Sequence, residues 1–281
     1  MSTLLLVIDP QNDFCDLPAH TLSAPGVSPS VVQPALPVPG ADADLLRLAH
    51  WLTTHASQVD AVTVTLDSHL RFDIAHPDFW RTADGAPVAP FTPITAQDVR
   101  DGRFVTAAPA HASRALAYLD ALRARGRHAH MVWPVHCELG TWGHGVHPAF
   151  QQAIAEWQRQ RLRAITTVIK GTNPWTEHYS ALQAAVPDPQ DPGTALNGDL
   201  LRQVSSASQV ILAGEASSHC VRYTVLDLLE HLPEDAARRL VLLTDCTSPV
   251  PGFEADHARL LAALQQAGAT LACSTDFTPA H

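Results

Sequence analysis

Val210-Ile211-Leu212-Ala213-Gly214-Glu215-Ala216-Ser217-Ser218-His219-Cys220-Val221 is the stretch that decides how this chain folds. Four apolar residues lead into a glycine, small residues follow, and a helical pattern opens near His219 and runs to Leu232. That is a strand, a tight turn and a helix start. A short strand that is apolar throughout suits a parallel sheet covered on both faces. Cys220 falls in the first turn of the helix. There the macrodipole and the free N–H groups favour a thiolate and can receive a developing oxyanion. A small cysteine packed into the same turn gives the same sequence, so its neighbours must decide.

Working outward, the pattern repeats along the chain. Apolar runs at Leu4–Ile8, Ala61–Leu66, Ala129–Trp133, Ala164–Ile169, Leu240–Leu243 and Thr270–Cys273 predict further strands. Helical spacing predicts helices near Ala41–His55, Ser113–Arg125, Pro148–Arg161, Ala195–Ser206, His219–Leu232 and Glu254–Ala267. The last carries Leu260, Leu261 and Leu264 on one face, with Gly268 placed to cap it. Strands alternating with helices predict an α/β fold around a mainly parallel sheet. We expect one domain over residues 1–281. Two Pro-rich excursions, near 17–40 and 77–110, break the rhythm. Loops of that length are usually binding loops, lids or disorder, and Trp80, Phe91 and Phe104 in the second favour an ordered one.

Composition narrows the partners. The formal charge is −10 with no basic block, which argues against a nucleic-acid partner. No apolar run reaches the ~18 residues of a membrane span. The N-terminus lacks a basic, cleavable leader, so a cytoplasmic protein is expected. Five scattered cysteines without a C-x-x-C pair argue against a disulfide framework or a cysteine zinc cage.

Lys170 is the only lysine, against seventeen arginines. Where any positive charge would do, this chain uses Arg. A compact ammonium is what Arg cannot imitate. Lys170 ends an apolar run, as Asp9 ends Leu4–Ile8. Asp67-Ser68-His69 closes another, and alternation puts Asp67 and His69 on one side. Imidazole with carboxylate suits Zn²⁺, Fe²⁺ or Mn²⁺, and His136 could complete a three-ligand site. Each residue alone has a plain structural explanation. Asp9, Asp67, His69, His136, Lys170 and Cys220 all placed at the carboxyl ends of predicted strands are much harder to explain that way, because that edge is where open α/β sheets bind ligands.

These residues carry a resemblance. Leu5–Phe14, Asp67-Ser68-His69, Trp133-Pro134-Val135-His136-Cys137 with Gly140–Gly143, Lys170-Gly171-Thr172 with Glu177–Ala181, Gly214–Val221 and Leu243–Thr247 occur in the order seen in the isochorismatase-like cysteine hydrolases. Within that family the chain resembles the nicotinamidases and pyrazinamidases. The resemblance implies a Rossmann-like three-layer α/β/α sandwich. It implies an amide-hydrolysing triad of Asp9, Lys170 and Cys220, with oxyanion donors at the N–H groups of Ala216 and Cys220 and a cis Glu215–Ala216 peptide. It implies metal ligands Asp67, His69 and His136, with Zn²⁺ the first choice and Fe²⁺ or Mn²⁺ the alternatives. The family often uses D-x-H-x-x-x-H. Asp73 stands at that fourth position here and could ligate directly or through water. Phe14 and Trp133 match positions that flank the substrate ring, where the metal binds the pyridine nitrogen. His219 stands where Tyr is common.

The expected activity is hydrolysis of nicotinamide or a related aromatic carboxamide to the acid and ammonia through a thioester. Lys170 is expected to favour the Cys220 thiolate, with Asp9 taking the proton. A hydrolase of another small amide or ureido compound, or a non-catalytic binding protein on the same fold, is the alternative. Relatives often form dimers or tetramers, which leaves a homo-oligomer open.

Overall fold

Thr3–Ile8 (β1) is buried at every position, as its unbroken apolar run predicts. The computed structural model describes residues 2–24 and 26–280. After β1 come a hairpin, His20–Ala24 (β2) and Val27–Val32 (β3), then Ala41–Thr54 (α1) and Ala61–Asp67 (β4). The second excursion contributes Trp80–Thr82 (β5), Thr92–Ile94 (β6), Ala96–Arg100 (α2) and Phe104–Thr106 (β7). Next are Ala112–Arg125 (α3), His130–Val132 (β8), Pro148–Arg161 (α4) and Thr166–Lys170 (β9). The last part holds Gly198–Ser206 (α5), Gln209–Gly214 (β10), Cys220–His231 (α6), Leu240–Leu243 (β11), Glu254–Gln266 (α7) and Thr270–Ala272 (β12).

Six strands form the central sheet in the order β12-β11-β10-β1-β4-β9, every pair parallel. Helices cover both faces, with α1 packed on α4 and α6 on α7. This is the expected three-layer α/β/α sandwich. From β1 the chain moves outward through β4 and β9, then returns to the other side of β1 at β10. The order therefore reverses between β1 and β10, and the crevice beyond their carboxyl ends is where such sheets bind ligands. Gly214 closes that end of β10. Its φ is +111°, and a Cβ there would lie 2.0 Å from the Ile8 carbonyl oxygen. Only glycine lets the two strand tips come this close.

Two expectations need correction. The strand expected over Ala129–Trp133 forms as β8, but it pairs antiparallel with β6 outside the central sheet. Val132 joins a second core, with Phe79, Trp80, Ile94, Tyr118, Leu119 and Leu122, while Met131 and Trp133 pack on the main one. The helix expected from Ala195 begins at Gly198, because the Asn197 side chain accepts from the Leu200 N–H at 3.0 Å and caps it there. In the second excursion Trp80 is buried and Phe104 partly buried, but Phe91 is 52% exposed.

Both excursions carry regular structure. The second is held by the β5–β7 and β6–β8 ladders and by a reciprocal Thr95–Asp98 capping box on α2. It begins shortly after Asp67-Ser68-His69, and α3 and β8 then lead the chain to Trp133-Pro134-Val135-His136. Among the described residues no helix is long and apolar enough to cross a membrane.

Candidate active site

Lys170 is the hub. Its Nζ lies 2.8 Å from Asp9 Oδ2, 3.0 Å from Asp67 Oδ1 and 3.6 Å from Cys220 Sγ, and it donates to the His178 carbonyl at 2.9 Å. The three strand ends place these groups. Asp9 follows β1, Lys170 ends β9, and Cys220 opens α6 beyond β10. All are buried. The Asp9 backbone is left-handed at φ +43°, and its N–H donates to Thr65 Oγ1 at 3.0 Å. Thr65 in turn donates its hydroxyl to Asp9 Oδ1.

Burial would strip Lys170 of its proton, but Asp67 and Asp9 hold it charged, well above the ordinary range. Burial pushes the Asp9 carboxyl up, Lys170 opposes this, and Asp67 adds to it, so the net shift is upward. Burial also pushes the Cys220 thiol well up. Lys170 pulls it down, and Asp9 and Asp67 push it up again. The net shift is upward, and within it Lys170 favours the thiolate, as expected, against burial and the two carboxylates. One lysine faces two carboxylates, so its charge is already spent on them.

Beside the hub lie three histidines. The ligating atoms of His69, His76 and His136 fall within 4.8 Å of one another. Each ring has its Nδ1 directed at an acceptor: His69 at Asp73 Oδ2 (3.0 Å), His76 at the Leu70 carbonyl (3.1 Å) and His136 at the Pro134 carbonyl (2.8 Å). In a neutral ring an Nδ1–H donor leaves Nε2 with a lone pair. Burial would keep His69 neutral, but Asp67 and Asp73 push it well above its ordinary range, toward a charged ring whose Nε2 proton a bound cation would replace. Asp67 Oδ2 is 3.2 Å from His69 Nε2 and 3.5 Å from His136 Nε2. Three oriented imidazoles and a carboxylate in a buried cluster fit a divalent cation. Asp73, expected at the fourth ligand position, is not in the cluster. Its carboxylate holds the His69 ring and caps the Ala75 N–H at 2.9 Å. His76 takes that place, three residues later than the motif spacing.

His136 reaches the cluster on a loop rather than from a sheet strand. The His69 N–H donates to the Cys137 carbonyl, and the Leu139 N–H to the His69 carbonyl, each at 3.0 Å. Asp13 fixes the loop from below, accepting the Cys137 N–H at 2.7 Å and the Ala35 N–H at 3.0 Å. Gly143 makes room for that carboxylate, since a Cβ there would sit 2.0 Å from Asp13 Oδ2.

Aromatic rings line the rest. Phe14 meets the His136 ring edge-on at 5.5 Å. The Trp133 ring lies 5.1 Å from His219, 6.2 Å from Phe253 and 5.7 Å from Phe91, and its Nε1 donates to the Tyr179 hydroxyl at 2.8 Å. Burial holds the His219 ring neutral, down at about 3. Ala216 follows a cis Glu215–Ala216 peptide, as expected.

No family model matches the chain. A nicotinamidase of Escherichia coli strain K12 is 28% identical over 277 residues, covering 97% of this chain and 95% of that protein. A solved nicotinamidase/pyrazinamidase from Acinetobacter has a TM-score of 0.62 at 20% identity, over 98% of this chain and 97% of that one. A pyrazinamidase of Pyrococcus horikoshii, solved in complex with zinc, has a TM-score of 0.52 at 19% identity, over 97% and 99%. The chain is similar to the nicotinamidases in sequence and shares their fold.

Sequence reasoning missed His76, Tyr179, Phe253 and Thr65 at this site. Thr65 alone left a signal: it lies two residues before Asp67 on a strand, and so on the same face. It also missed a buried carboxyl pair behind the site. Ser248 joins them, its N–H donating to Glu215 Oε2 at 3.1 Å and its hydroxyl to Asp44 Oδ2 at 2.6 Å. Burial, and then Asp44, push the Glu215 carboxyl well above its ordinary 4.5. The folded protein keeps this proton above the pH at which the unfolded chain releases it, so stability falls as pH rises through that window. Glu215→Gln removes the penalty and can still accept from Ser248. Its Tm is expected to exceed the wild-type value at pH 7–8, with the gap closing as the pH falls below 4.5. An equal Tm difference at both ends of a pH series would show that Glu215 is not held protonated.

Proposed function

We propose that this protein hydrolyses the carboxamide of nicotinamide or a closely related aromatic amide, giving the carboxylic acid and ammonia through a thioester on Cys220. The observation that carries this reading is one lysine in contact with Asp9, Asp67 and Cys220 at the sheet's switch point. That arrangement puts a thiol, a carboxylate of raised proton affinity and a fixed positive charge within reach of one carbonyl carbon.

The resting charge states set the order of events. Asp9 takes the thiol proton as Cys220 Sγ attacks the carboxamide carbon. Asp9 is suited to this, because burial raises its proton affinity while Lys170 keeps its anion stable before the transfer. The N–H groups of Ala216 and Cys220 receive the oxyanion. Asp9 then gives the proton to the departing nitrogen, and ammonia leaves. In the second half Asp9 takes a proton from water, which attacks the thioester carbon. The thiol is regenerated and the carboxylic acid released. Lys170 stays charged throughout and stabilises whichever of Asp9 and Cys220 is the anion.

Asp67, His69, His76 and His136 would hold a divalent metal, Zn²⁺ first, and a bound metal would accept the ring-nitrogen lone pair and draw electron density from the ring. The close approach of the three imidazoles, with Asp67 Oδ2 against two of them, supports that fit. Phe14 and Trp133 would flank the ring, with His219 at the wall beside Cys220. His76→Ala is expected to lower stoichiometric metal content by elemental analysis. Asp73→Asn is expected to weaken metal affinity by about 10–100-fold without emptying the site at saturation. Full content and wild-type affinity in His76→Ala would rule out the three-imidazole set.

The function is tested by ammonia release from a panel of aromatic, aliphatic and ureido amides, with metal supplied and Cys220 reduced. Turnover of the aromatic carboxamides is expected. Turnover of ureido compounds alone would move the assignment to that class, and turnover of none would leave a binding protein.

A further inference from the structure

We propose that Phe91, delivered by the 77–110 excursion, forms the outer wall of the acyl pocket and sets the largest ring the enzyme accepts. This rests on the carboxamide reading and adds a specificity residue to it.

Three observations converge on Phe91. Its backbone is left-handed, at φ +62°. Large aromatic side chains rarely adopt that conformation, and such outliers persist where the surrounding structure imposes them. The surrounding structure here is visible. The Phe91 N–H donates to the Val132 carbonyl at 2.6 Å, which ties the turn to the residue preceding Trp133. Thr92 closes the same turn, its hydroxyl donating to the Ala89 carbonyl at 2.7 Å.

The second observation is where the ring goes. It meets Trp133 edge-on at 5.7 Å, and Trp133 meets His219, the residue before Cys220, edge-on at 5.1 Å. Trp133 is 3% exposed and Phe91 is 52% exposed. Phe91 therefore stands between the buried aromatic wall and solvent. An apolar ring left half in water gains little from its own burial, so the fold does not need it there.

The third is how firmly the excursion is held. Phe79, Trp80 and Ile94 are buried against Leu119 and Leu122 of α3, so Phe91 sits on a braced turn rather than a loose loop. A rigid wall can exclude by size, whereas a mobile one would yield.

Phe91→Gly is the informative variant, because it removes the ring and relieves the left-handed backbone together. Phe72→Ala, which removes another exposed ring in contact with Phe79 and His111, is the control. kcat/KM is measured for nicotinamide and for carboxamides of larger fused or alkyl-substituted rings. Phe91→Gly is expected to raise the ratio of large-ring to nicotinamide kcat/KM at least about tenfold, and Phe72→Ala to leave it unchanged. An unchanged ratio in Phe91→Gly, with wild type active on nicotinamide, overturns the Phe91 assignment alone. If wild type turns over no carboxamide in the panel, the functional reading and this assignment fall together.

Discussion

Lys170→Arg is expected to lower turnover by about 10³-fold or more while leaving a folded protein. The reason is geometric. Nζ sits within 3.0 Å of Asp9 and Asp67, 3.6 Å from Cys220 Sγ and 2.9 Å from a backbone carbonyl. One small ammonium directs its three protons at Asp67, the His178 carbonyl and Cys220 Sγ and holds Asp9 by charge. A guanidinium is planar and larger, and its donors form a fixed fork. It can pair with one carboxylate in bidentate fashion, but it would then displace Sγ or Asp9 from the reacting position. A misplacement of about 1 Å at a reacting centre costs on the order of 10²-fold. Lys170→Met separates charge from shape. It keeps the volume but leaves Asp9 and Asp67 buried and unpaired, a loss of about 3–5 kcal/mol when one partner of a buried pair is removed. Kinetics and thermal unfolding on both variants read this out. Arg should fail in kcat and Met in stability as well. If Arg retains more than a tenth of wild-type kcat, any positive charge suffices and the compact ammonium is not required.

That the chain spends its only lysine here was legible in the sequence, as was most of the sheet. The runs that became β1, β4, β10 and β11 are apolar throughout because both faces are covered, and this pattern survives without knowledge of neighbours. The site residues were legible for the same reason. In a parallel sheet, strand ends on one edge gather, so Asp9, Asp67, Lys170 and Cys220 had to meet if the strands were read correctly. What the sequence could not show depends on contacts across the fold. His130-Met131-Val132 has the same apolar pattern whether it joins the central sheet or, as here, pairs with β6 between the two cores. His76 escaped notice because its distance from His69 matches neither the family spacing nor a regular period. The turn at Asp73 that brings it back is held by hydrogen bonds to His69, Ala75 and His76. The push on the Cys220 thiol was not legible either, because the helix terminus is a local feature, while the burial and the two carboxylates, at the ends of β1 and β4, come from across the fold.

Cys220→Ala is expected to abolish turnover, by about 10⁴-fold or more, with metal content and fold intact. Removing Sγ deletes one atom from a buried position and leaves the Lys170 contacts with Asp9 and Asp67 in place, so the stability cost is small beside the catalytic loss. Cys220→Ser is the sharper test of the proton path. Asp9 would have to take a proton from a hydroxyl, a far weaker acid than a thiol. Serine should therefore fail nearly as badly as alanine even though it keeps a nucleophilic oxygen. The raised thiol has a second signature. Alkylation of Cys220 by iodoacetamide near pH 7 should be slow beside that of the exposed Cys273, and should accelerate as the pH rises and the thiolate fraction grows. Acid quenching during turnover should trap an acyl adduct on the wild-type peptide containing Cys220, seen by mass spectrometry, and on neither variant. Residual wild-type-like turnover in Cys220→Ala would remove the sulfur from the reaction. Rapid alkylation at neutral pH with a flat pH dependence would show instead that Lys170 does win against the two carboxylates, and that the enzyme rests as a thiolate–lysine pair.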